Sequence, residues 1–173
     1  MLTPLSPPPS IFYYLRTTVF YGFCCYLVVL IIFICTTAIS AHHLDYMVLI
    51  RTLSSVSLNY LYLISSLILA PIFESLPIWL IHTLWIRKDG VKKIRLLLYF
   101  LSVFSYALIL HGAQLSAIAP SIGFIILACL FNSIYNFEKN RLISYVVDIA
   151  AHITWNILSI LTILMIQFIV TKS

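Results

Sequence analysis

Three long stretches of this chain, Thr17–Ala41, Thr52–Phe73 and Leu96–Phe137, contain no Asp, Glu, Lys or Arg. About 20 consecutive apolar residues cross the hydrocarbon of a bilayer as a helix, and a backbone in lipid must satisfy its own hydrogen bonds. The first two runs each suffice for a span and the third for two spans joined by a turn. Only 9% of the 173 residues are charged, against about 25% in soluble domains. The expected class is therefore all-α, a polytopic transmembrane helical bundle of about five to seven membrane segments.

Thr17–Ser40 also offers small residues, Ala38-Ile39-Ser40, where a signal peptide is cut. Its apolar stretch exceeds the roughly 7–15 residues of a signal, so it is read as a span. The net charge is +5, but half of the basic residues, Arg87, Lys88, Lys92, Lys93 and Arg95, lie in one short stretch. Such a cluster between apolar runs reads as a cytoplasmic loop, here 87–95, rather than as a nucleic-acid surface. The lipid bilayer is the expected partner, and nucleic acid is not. If the source is bacterial, the plasma (inner) membrane is expected. Cys24, Cys25, Cys35 and Cys129 lie within apolar runs without CxxC spacing, and with four glycines in all no phosphate-binding loop appears.

Residues 1–18, which carry Pro4, Pro7, Pro8 and Pro9, are expected to form an irregular lead-in, and 19–173 a single transmembrane domain. Its first helix covers about Val19–Ser40, followed by a solvated loop around His42, His43, Asp45 and Arg51. From Thr52 to Ile86 the apolar text is interrupted by Pro71 and Pro77. Proline removes a backbone donor and crowds the preceding turn, so a tight helical pair meeting near Ala70-Pro71 is expected, a single bent span being the alternative. Leu96–His111 and Leu115–Phe131 form a hairpin turned at Gly112-Ala113-Gln114, and Asn132–Arg141 returns the chain to the basic side. The last apolar run, Leu142–Val170, would be about 44 Å long as one helix, hence tilted, broken or overlong.

Among the acids only Glu74 and Asp148 fall within apolar stretches, where they are joined by His82, His111, His152 and Asn156. An ionisable group at membrane depth is a functional hypothesis by default. Counted in helical rise from the basic ends, Glu74, His111, His152 and Asn156 lie about 20, 24, 16 and 22 Å deep, in one slab of the bilayer. Asp148, His152 and Asn156 recur every four residues and share one stripe of their helix.

The chemistry these residues allow is water activation by Glu74 as general base, a histidine orienting the water, and a second histidine with Asn156 donating to an oxyanion. No cofactor is required for that. A zinc ion held by Glu74, His111 and His152 is the metal alternative. Asp148, one turn before His152, is expected to support it by orienting its imidazole. His82, near Trp85 and the basic end, is expected at the interface. Two other readings stand beside these: polar residues that only join helices, and a proton- or ion-coupled carrier, which requires a polar path through both leaflets.

In the same order along the chain, Ala70-Pro71-Ile72-Phe73-Glu74, Leu110-His111-Gly112 and His152-Ile153-Thr154-Trp155-Asn156 resemble the three motifs of the CPBP family of intramembrane proteases, also called the CAAX-protease and bacteriocin-processing family. The resemblance covers roughly Leu67–Leu161, with Tyr135–Lys139 where a short inter-helix loop is expected. It implies a membrane-embedded peptidase in which Glu74 and His111 activate water and His152 and Asn156 form the oxyanion site. It also implies a membrane-anchored or prenylated polypeptide as substrate. The family's first motif usually has a second glutamate and an arginine where this chain has Ser75 and Trp79. The usual aromatic before the second-motif histidine is Ala107, with Tyr106 one position away. Paired loss of a carboxylate and an arginine fits an active branch, since neither is left unpaired in lipid. It fits equally an inactive membrane protein of the same fold in immunity or assembly.

Overall fold

The computed structural model describes residues 10–40, 59–86 and 93–172. Among these, five helices are long and apolar enough to cross a membrane, and every regular element is helical. The chain is an integral membrane protein of the all-α class, and the five spans counted among the described residues fall within the expected five to seven. Residues 1–9, the polar stretch with His42, His43, Asp45 and Arg51, and 87–92 of the basic loop lie outside the described residues.

Helix α1 runs Ile11–Ser40, so the lead-in is shorter than expected and 11–18 is helical. No breaker follows Pro9, and the Ser10 carbonyl accepts the first turn's hydrogen bond from the Tyr13 N–H at 2.9 Å. The Tyr14 hydroxyl donates to Glu138, and the Tyr13 ring lies 5.9 Å from that of Phe137. The early aromatic residues therefore join α1 to a helix end more than a hundred residues on.

Helix α2, Tyr60–Trp85, is one span where a helical pair was expected. It comprises an α-helical turn, a π-helical segment Ser65–Leu69 and an α-helix Ala70–Trp85. The Pro71 ring would crowd the Leu67 carbonyl of a regular α-helix. The π segment widens the coil at that place, with the Ala70 N–H bonded to Ser65 O, and the chain passes proline without reversing. One carbonyl is left over: Ser66 O would pair in π register with residue 71, which has no N–H.

Helix α3 spans Lys93–Leu110 and α4 Ile118–Glu138. They form the expected hairpin, whose tip passes through Gly112 and Ala113 at φ 89° and 51° and a 3₁₀ turn Leu115–Ala117. The loop expected at Tyr135–Lys139 is instead mostly helix. Lys139 ends α4 in the left-handed region at φ 54°, and the Asn140 side chain accepts the Leu142 N–H at 2.9 Å, starting α5 at once. Helix α5, Arg141–Lys172, is unbroken over 32 residues, roughly 48 Å against a hydrocarbon thickness of about 30 Å, which tilting accommodates.

Helix α4 is the most buried span and packs on α1, α3 and α5. Helices α1 and α5 approach closely at Gly22, where an added Cβ would stand 2.7 Å from Ala151 O and 2.6 Å from Thr154 Cβ. Small residues permit such contacts where lipid supplies no hydrophobic drive. At one end of the bundle α5 begins beside the end of α2, the Arg141 guanidinium donating to Ile86 O at 2.9 Å. Arg16, Lys93, Arg95, Lys139 and Arg141 all belong to this end, and the hairpin tip to the other.

Candidate active site

Glu74 comes from α2, His111 from the hairpin tip, and His152 and Asn156 from successive turns of α5. All four line one cavity of about 200 Å³, with Tyr62, Ser66, Pro120 and Phe124 among its walls. The upper part of α2 rests chiefly on α5, which leaves the cavity open beside the exposed residues Tyr62 and His111.

The Glu74 carboxylate and His152 Nε2 stand 3.6 Å apart. That is too long for a direct hydrogen bond and is a separation at which bridging water is to be considered. The His152 ring is 2% exposed, stacked on Trp155 at 5.1 Å and edge-on to Phe124 at 5.5 Å. These rings hold its Nε2 edge toward Glu74. Phe124 also meets His111 edge-on at 5.8 Å, so one ring separates the two histidines. Glu74 thus has His152, not His111, as its near partner. His111 lies outside the apolar spans, and loss of water on its protein side lowers its pKa below the ordinary histidine value.

Asn156 donates from Nδ2 to Ser66 O at 2.6 Å, the carbonyl that Pro71 and the π segment leave without a backbone partner. One amide hydrogen of Asn156 is thereby committed to holding α2 on α5, and one remains.

Asp148 does not orient His152. Both its carboxylate oxygens and His152 Nδ1 are buried without a hydrogen-bond partner. Asp148 instead faces the Ser75 hydroxyl across the α2–α5 contact. The zinc alternative does not fit either: among the described residues no three His, Cys, Asp or Glu side chains gather closely enough to hold a metal ion.

His82 is fully buried rather than interfacial. It sits among Tyr99, Phe131 and Tyr135, with ring centroids at 5.3, 4.9 and 4.6 Å. The signal was its position two turns beyond Ser75 on the same face of α2; depth alone misplaced it. Sequence reasoning also missed Phe124 and Ser66, the latter legible from Pro71 once a continuous helix is assumed. No family model, curated protein or solved structure matches the chain.

Proposed function

We propose that the chain is an intramembrane endopeptidase that hydrolyses a peptide bond of a membrane-anchored polypeptide, using Glu74 as general base. The observation that carries this reading is the meeting of Glu74, His111, His152 and Asn156, from three distant parts of the chain, on one open cavity. In the proposed reaction Glu74 takes a proton from a water between its carboxylate and His152. The hydroxide adds to the substrate carbonyl carbon, and the oxyanion accepts hydrogen bonds from His152 Nε2–H and the uncommitted amide hydrogen of Asn156. The C–N bond then breaks, and the nitrogen leaves with the proton from Glu74. His111, at the mouth, steadies the water or the substrate carbonyl.

The end bearing Arg16, Lys93, Arg95, Lys139 and Arg141 is cytoplasmic by the charge rule for membrane proteins. The amino terminus of α1 then lies inside, and the mouth at His111 faces the opposite leaflet. A substrate would present its cleavable bond there. The test is incubation of the purified protein with single-span peptides in ¹⁸O-labelled water. Incorporation of the label into one new carboxyl terminus is expected, and intact peptides across the panel would refute the reading.

A second reading, an inactive membrane protein of similar build, draws on the Asn156–Ser66 bond, which gives Asn156 a purely structural task. Under that reading Glu74→Gln leaves the biological function unchanged.

A further inference from the structure

Every buried side-chain N or O without a hydrogen-bond partner among the described residues lies on α2, α4 or α5: Ser75 Oγ, Trp79 Nε1, both His82 nitrogens, Asn132 Oδ1, Arg141 Nε, both Asp148 oxygens and His152 Nδ1. Buried polar groups are rarely left so, and nine atoms along one seam are not scattered defects. In order they run from the cavity toward the basic end. His152 stands at the cavity, and Asp148 follows one turn lower, facing Ser75. His82 comes about 10 Å below Ser75 by helical rise, with Asn132 and Arg141 beside it. Tyr99 stands in the interval: its ring meets His82 edge-on at 5.3 Å, while its hydroxyl donates to Ala128 O at 3.1 Å.

We propose that this seam conducts protons between the cavity and the basic end of the bundle. The proposal is independent of peptide hydrolysis. An imidazole relays a proton by accepting it at one nitrogen while releasing another from the second. Neither His82 nitrogen meets a close hydrogen-bond partner, and the Asn132 amide beside the ring is a group it can engage. Asp148 likewise accepts at one oxygen and releases from the other. Its remaining titratable neighbours, Cys25 of α1 and Tyr145 of α5, carry no charge at neutral pH. Internal waters, which such polar groups bind, carry each proton across the intervals, so none is gained or lost along the way. Three aromatic rings close on His82 at 4.6–5.3 Å, so at this point the proton passes through the imidazole itself. The burial of His82 supplies the lower half of the path that a carrier requires and that sequence depth had not provided.

The experiment uses the full chain in liposomes holding a pH-sensitive dye, with a potassium gradient and valinomycin setting the interior negative. Acidification at least about ten times faster than in protein-free liposomes is expected for the wild type. Asp148→Asn and His82→Gln should each return it to the protein-free rate. A wild-type rate equal to the protein-free one overturns the proposal by itself. A wild-type rate in either variant, with the helical circular-dichroism signal retained, does so too. Should Asp148→Asn not insert as a folded chain, His82→Gln decides alone.

Discussion

Asn156 holds the Ser66 carbonyl at 2.6 Å, and it does so because Pro71, five residues after Ser66, has no N–H to offer. A proline on one helix thus specifies an amide on another, and the pair fixes the upper part of α2 against α5 at the rim of the cavity. Asn156→Ala should lower stability by about 0.6–2 kcal/mol, the span found for interhelical hydrogen bonds in membranes. In a Pro71→Ala background, where an N–H becomes available, the same substitution should cost measurably less. Reversible unfolding in mixed micelles measures both, and strictly additive effects would contradict the link.

Gly22 should tolerate no side chain. An added methyl meets Ala151 O at 2.7 Å, a backbone atom that cannot rotate aside, so Gly22→Ala should destabilise by about 1–3 kcal/mol, as overpacking does. Phe20→Ala, at a position 60% exposed, should stay within about 0.5 kcal/mol. The same unfolding assay compares them.

The lowered pKa of His111 has a signed consequence. The unfolded chain takes up this proton near the ordinary histidine value, about 6.5, and the folded chain only at a lower pH. Stability from this group is therefore complete above about pH 6.5 and is lost as pH falls toward the folded pKa. His111→Gln should flatten this part of the stability–pH curve, and an unchanged curve would show that the imidazole is not the source.

Phe124 separates His111 from His152 and props the latter against Trp155. Phe124→Leu keeps most of the volume, so stability should change by less than about 1.5 kcal/mol. Peptide cleavage should nonetheless fall about 10-fold or more, because a displacement near 1 Å in a catalytic group is costly. Cleavage at the wild-type rate would mean that the ring does not position His152.

The spans were legible because charge is excluded from lipid, and the charge-free runs marked nearly all of them. Pro71 misled because proline usually breaks or kinks a helix, whereas a π segment let this one continue. The turn after Glu138 is shorter than its polar text implied, since Lys139 turns the chain alone in the left-handed region. Glu74, His111, His152 and Asn156 were readable as one slab from helical rise, and they do share a cavity. What depth does not encode is direction around each helix, which buried His82, or the side chain facing a group across a helix contact, which set Asp148 toward Ser75.

The most direct test of the proposed hydrolysis compares wild-type protein with Glu74→Gln, equally folded by circular dichroism, on a membrane-anchored peptide cleaved in the ¹⁸O assay. A general base contributes roughly 10²- to 10⁴-fold, so cleavage by wild type and a fall of at least about 10²-fold in the variant are predicted. Equal rates in the two proteins would contradict the assignment of Glu74 as the base.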